Sequence, residues 1–200
     1  MFRVYGMSTS GNCHKVRMTL EALALPYDWT EIDTVRGDTR TPSFLAMNPN
    51  GKAPVLEIEP GTYLAESNAI LWYLADGTPL LPSGALPRAR VLQWLFFEQY
   101  SHEPYIAVAR FLRKFHPDPA SQRALVDSKM NGGYRALEVM EGHLAHAPFF
   151  AGDDYSISDI ALYAYTHVAG DGGFDLGRFP AVRAWLGRVE TQPGCVAMPA

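Results

Sequence analysis

The chain has 200 residues, 48% of them hydrophobic and 19% charged, and its 17 basic against 21 acidic side chains leave a formal charge of −4. That much apolar material excludes global disorder, and the mildly acidic balance excludes the broad basic field that non-specific nucleic-acid binding needs. Two cysteines far apart, Cys13 and Cys195, are too few for a disulfide framework or a cysteine-rich zinc site.

In chain order, Phe2 to Tyr5 is a short apolar run ending at Gly6 and reads as a strand. A small-residue turn, Ser8 to Gly11, precedes Asn12, which stands where a helix N-cap belongs, ahead of Val16, Met18, Leu20, Leu23 and Leu25. Pro26 stops this helix, and Tyr27 to Asp33 reads as a second strand. The polar stretch Arg36 to Thr41 leads to Pro42 and a short helix through Phe44 and Leu45, and Asn48-Pro-Asn-Gly51 is dense in turn residues. Pro54 to Ile58 and Tyr63 to Ala65 form a hairpin about Pro60-Gly61, after which Ser67 caps a helix carrying Ile70, Leu71, Tyr73 and Leu74.

Thr78 to Pro87 then holds three prolines and a glycine in ten residues, the composition of a linker. Beyond it the pattern is helical throughout: Arg88 to about Phe115 with a kink at Pro104, Pro119 to about His146 weakened by Gly132-Gly133, a third helix from Ser156 or Ser158, and Pro180 to about Thr191. A length that falls between one domain and two therefore divides into an α/β domain (1–78), a linker (79–87) and an all-α domain (88–200). The N-terminal residues lack the basic-then-apolar order of a signal segment, and the longest apolar run, Ala69 to Ala75, is far short of a membrane span. A cytoplasmic protein in a reducing compartment is expected, with no membrane or nucleic-acid partner.

Four local patterns stand out: Ser10-Gly-Asn-Cys-His-Lys15 after the first strand, Asn48-Pro-Asn-Gly-Lys-Ala-Pro-Val-Leu56, Glu66-Ser67-Asn-Ala-Ile70 at a helix start, and Phe150 to Ile160 with its Ser156-Ile-Ser-Asp159 capping box. With these four in this order and spacing, the chain resembles the cytosolic glutathione transferases over essentially its whole length. The resemblance implies a thioredoxin-like α/β N-terminal domain followed by an all-α C-terminal domain, glutathione as cosubstrate, and a homodimer. It also implies an enzyme that attacks a small hydrophobic electrophile with the glutathione thiolate, as in detoxification.

The first pattern suits that chemistry. A thiol with a reference pKa near 8.5 is only ~3% ionised at pH 7, so an enzyme must favour S⁻ with donors and positive potential. A turn of small hydroxyl residues running into a helix N-terminus supplies both. In serine-type members the activating hydroxyl stands here, and Ser10 matches it, with Ser8 and Thr9 as alternatives; Tyr5 lies inside the strand, unlike the tyrosine-type pattern. Many serine-type members have proline where this chain has Asn12. Ser10-Gly-Asn12 resembles more closely the bacterial Nu-like branch, in which the asparagine is thought to contact the sulfur and disulfide-bond reductase activity accompanies weak transferase activity. Two readings of Asn12 stay open, a thiolate contact and a plain N-cap. Ser10-x-x-Cys13 is a thioredoxin-type Cys-x-x-Cys lacking its first cysteine, and Cys13 reads as a packing residue rather than a reactive thiol.

From the resemblance, Ala53-Pro54 is a cis bond whose alanine pairs with the cysteinyl backbone of glutathione, while Lys52 and Arg40 reach its glycyl carboxylate. Glu66 suits the γ-glutamyl ammonium, and the Ser67 hydroxyl with the helix N–H groups suits the γ-glutamyl carboxylate. Asp159 is assigned to folding. The electrophile wall is expected to include His102, Tyr105, Arg110 and Phe111 from the long kinked helix. No metal site is expected: His143 and His146 are three apart but read as surface histidines. Exposure of Trp72 and Phe97 is expected to mark the dimer contact. Two alternative functions remain: a Nu-like disulfide-bond reductase and a non-catalytic glutathione-binding or interaction module.

Overall fold

The computed structural model describes residues 1–199; Ala200, the last residue of the expected helical domain, lies outside them. Among the described residues the first compact unit comprises Met1–Asp76 together with Pro193–Pro199, and the second is Gly77–Gln192. The α/β and all-α character implied by the resemblance is what the two units have. The terminal segment departs from the expected 88–200 domain because Gly194, at φ 79, brings its backbone against Ala22 of the first unit, closer than any side chain would permit.

In the first unit, β1 (Phe2–Gly6) is joined by α1 (Gly11–Ala22) to β2 (Tyr27–Glu31), which pairs parallel to it, the pairing that requires a crossover helix. After α2 (Pro42–Met47), β3 (Val55–Glu59) runs antiparallel to β1 and pairs with β4 (Thr62–Ala65), giving the order β2-β1-β3-β4 before α3 (Ser67–Ala75). α1 and α3 pack on each other. Val4, Val16, Leu20, Leu56, Ile70 and Leu71 are fully buried, and Ile32, Phe44 and Val55 form a second apolar cluster.

The register decides where function can sit. Tyr5 lies opposite Val55, and Val55 opposite Ala65. The loop leaving β1, the residue entering β3 and the residue leaving β4 therefore emerge at one end of the sheet.

Four boundaries differ from the sequence reading. β2 ends at Glu31, because Asp33 turns the chain by accepting the N–H groups of Val35 and Arg36, both at 2.9 Å. α1 starts one residue before Asn12, with Ser10 in the cap position, so Asn12 is its second residue and not its cap. α3 includes Ser67, and Glu66 takes the cap position. The expected linker ends early: Ala85 to Pro87 are already helical, since a proline in the first turn sacrifices no hydrogen bond.

The second unit contains α4 (Ala85–Phe97), α5 (Glu103–Lys114), α6 (Arg123–Leu144), α7 (Ile157–Thr166) and α8 (Pro180–Glu190). The kink before Pro104 is a wide π-helical turn over Glu98–His102, where the proline withholds the next helical N–H. Gly132 and Gly133 do not interrupt α6. A Cβ on either would collide with the ring of Tyr105 or Phe174, so the pair is a recess for two aromatic side chains. Of the two serines considered, Ser156 caps α7. Among the described residues no helix is long and apolar enough to cross a membrane.

Candidate functional site

The loop between β1 and α1 is held from β2. Glu31 accepts the Ser8 N–H and the Trp29 indole N–H, each at 2.7 Å, and Thr34 donates to the Met7 sulfur at 3.0 Å. The Ser10 N–H closes the turn onto the Met7 carbonyl at 3.0 Å, and its own carbonyl accepts the His14 N–H at 2.8 Å, starting the helix. The Ser10 side chain does not cap α1. Burial pushes the Cys13 thiol up to about 11 against the opposing effect of Ser10 and the Met7 backbone, so this sulfur stays protonated at neutral pH.

Asn12 is engaged differently. Its Oδ1 accepts Lys15 Nζ at 2.8 Å and the Ser67 hydroxyl at 3.3 Å, while Lys15 Nζ lies 3.4 Å from Ser67 Oγ. Lysine Nζ is a donor with no acceptor capacity, so the carboxamide atom facing it is the oxygen, and the NH2 is the other end of the group. Lys15 is completely buried, and Ser67 is 5% exposed. Sequence reasoning passed over Lys15. The available signal was helical spacing, which aligns it with buried Gly11, Met18 and Thr19 on one face of α1.

The second pattern forms a braced loop. Asn48, buried, donates from Nδ2 to the Lys52 carbonyl at 2.7 Å and accepts the Asn50 N–H at 3.1 Å. Ala53-Pro54 is cis, and Val55 opens β3 directly after it. Lys52 and Arg40 are exposed, and Arg40 reaches the Asn50 carbonyl at 3.5 Å. The role of Asn48 as the brace was not singled out from the sequence. Glu66 is exposed at φ 67, a conformation uncommon outside glycine that is often retained where function needs it, and it projects an acid just ahead of the α3 N-terminus.

The residues expected to wall an electrophile pocket separate. His102 is fully buried, its Nε2 at 2.9 Å from the Thr166 hydroxyl. Arg110 is 3% exposed, paired with Asp171 at 3.1 Å and lying over the Phe115 ring. Burial acts to raise the Asp171 carboxyl, but hydrogen bonds from Lys114 and Arg110 hold it below its ordinary value. These two side chains are thus engaged inside the helical unit, because the π turn and α5 carry them on the same face as buried Ile106 and Ala109. Phe111 is exposed, and Tyr105 lines a hollow of about 250 Å³ with Phe97, Tyr100, Arg135 and Val139. His143 is not a plain surface residue: its Nε2 donates to the Phe149 carbonyl at 3.1 Å and its ring stacks on Phe150 beside Trp94. Trp72 and Phe97 are half-buried, and the most exposed rings are Tyr100 and Phe96. Among the described residues no group of three or more His, Cys, Asp or Glu is placed to hold a metal ion.

Residues 9–76 match the glutathione S-transferase N-terminal domain and residues 97–193 the glutathione S-transferase C-terminal domain. The chain is 31% identical to the disulfide-bond oxidoreductase YfcG of Escherichia coli K12, over 91% of this chain and 87% of that protein. A crystal structure of a glutathione S-transferase from Pseudomonas fluorescens Pf-5 superposes with a TM-score of 0.96 at 55% identity, covering 100% of this chain and 99% of that one. The glutathione transferase BgramDRAFT_1843 of Burkholderia graminis, with two glutathione molecules bound per subunit, gives 0.82 at 29% identity, over 96% and 85% of the two chains.

Proposed function

Because the chain belongs to the glutathione transferase family, we propose that it binds glutathione on its first unit and uses the tripeptide thiolate as a nucleophile. The observation that carries this reading is the Asn12 carboxamide. Its oxygen is occupied by Lys15 and Ser67, so the group meets a ligand with its NH2, the end that donates to S⁻. The N-terminus of α1 adds positive potential at the same place. Ser10, a neutral hydroxyl in the cap position, contributes less. The register supports one continuous ligand groove: Ala53 offers backbone to the cysteinyl unit, Lys52 and Arg40 face the glycyl carboxylate, and Glu66 with Ser67 takes the γ-glutamyl end.

In the transferase reaction the sulfur lone pair forms a bond to an electrophilic carbon and the leaving group departs with its bonding pair. A hydrophobic acceptor, the homodimer and a cytoplasmic location belong to this proposal. A second reading, disulfide reduction, is favoured by the oxidoreductase relative and by the neighbour holding two glutathiones. There the first thiolate cleaves the substrate S–S bond, giving a mixed disulfide and one released thiolate. A second glutathione then releases the other thiol and leaves glutathione disulfide, so two electrons pass from two thiols to one disulfide.

The test compares turnover of an aryl halide with turnover of a small dithiol-derived disulfide at equal glutathione. Faster aryl halide turnover supports the transferase, and the opposite ratio supports the reductase. No binding at millimolar glutathione overturns both and leaves an interaction module.

A further inference from the structure

A lysine with no exposed surface is costly unless its charge is well met, so its position asks for a reason. Lys15 is the third residue after Asn12 on α1, which brings its stem beneath the helix start. The two oxygens it reaches, Asn12 Oδ1 and Ser67 Oγ, stand at the N-termini of two different helices. Those are the helix ends that the glutathione reading uses for the sulfur and for the γ-glutamyl carboxylate.

We propose that Lys15 is a positioning residue for the thiolate, acting through Asn12. It grips the carboxamide by its oxygen, turns the NH2 toward the ligand sulfur, and anchors that arrangement to Ser67 across 52 positions of sequence. A cation on the oxygen draws electron density from the amide and makes its N–H a stronger donor. The ammonium itself does not touch the substrate. This inference rests on the thiolate reading above and adds the residue that sets its geometry.

The experiment titrates the ultraviolet thiolate absorbance of saturating glutathione on the wild type, Lys15→Met, Lys15→Arg, Asn12→Ala and the Lys15→Met/Asn12→Ala double variant. Lys15→Met is expected to raise the thiolate midpoint by about one pH unit, roughly tenfold less thiolate below it, with a smaller change in glutathione KM. Lys15→Arg, which keeps charge and donors, is expected to recover most of the shift. In the double variant the midpoint is expected to match that of Asn12→Ala alone, because one route is already cut. A depressed wild-type midpoint that Lys15→Met leaves unmoved overturns the role of Lys15, and so do additive shifts in the double variant. A wild-type midpoint equal to that of free glutathione overturns the underlying thiolate reading instead. Should Lys15→Met fail to fold, Lys15→Gln, which is polar but uncharged, replaces it in the same comparison with Lys15→Arg.

Discussion

The N-termini of α1 and α7 start alike. Each follows a serine with extended backbone, Ser10 at φ −83, ψ 129 and Ser156 at φ −146, ψ 174. The third helical residue separates them. At α7 it is Asp159, which accepts the Ser156 N–H and hydroxyl, both at 3.1 Å, closing the helix end from within. At α1 it is Cys13, which cannot close the end in this way, and the Ser10 side chain makes no cap bond to the helix N–H groups. An acid at position 13 would place a negative charge beside the proposed thiolate. The same orphan donors thus serve folding in one unit and, in the proposed function, are left to a ligand in the other.

The largest expected effect tests the closed end. Asp159→Ala strands the N–H groups of Phe150 and Ser156 and the Trp185 indole, all buried, and is expected to cost about 3–5 kcal/mol in urea unfolding. Glutathione affinity of the folded protein should be unchanged; a loss there would break the division of roles. Next is pH. Burial raises the Asp159 carboxyl from 3.8 to about 6, against the hydrogen bonds it accepts. The folded state therefore binds this proton more tightly than the unfolded state, and stability falls as pH rises from about 4 to about 6, by up to about 3 kcal/mol. Asp159→Asn should flatten that slope when unfolding is followed across the window.

At the open end, Asn12→Ala is expected to lower kcat/KM about 100-fold, near the loss measured for one anion-holding donor elsewhere. Ser10→Ala should cost less than about tenfold, since the loss is that of one neutral hydroxyl donor. The reverse order would make Ser10 the activator. Glu66→Gln is expected to raise the glutathione KM about tenfold while leaving the thiolate midpoint in place, separating recognition from activation.

Much of this was legible residue by residue. Turn-rich Asn48 to Gly51, the capping box at Ser156 and the proline-rich stretch from Thr78 are local signals, and the structure places a loop, a helix start and a unit boundary near them. Helix starts were misjudged by one or two residues at Asn12 and Ser67, because serine, asparagine and glycine all suit a cap and only the backbone angles choose among them. His102 and Arg110 were legible as helical but not as inward-facing. Which side of α5 is covered depends on α7 and on the segment carrying Asp171, both more than 50 residues away.

The sequence alone determined the α/β-then-α order and the four motifs, because periodicity, capping and turn chemistry act within a few residues. Tertiary structure alone decided that Lys15, Asn12 and Ser67 share one hydrogen-bonded cluster. That outcome depends on how two helices pack on one sheet, and atoms brought together across 52 and 55 positions leave no local trace in the chain.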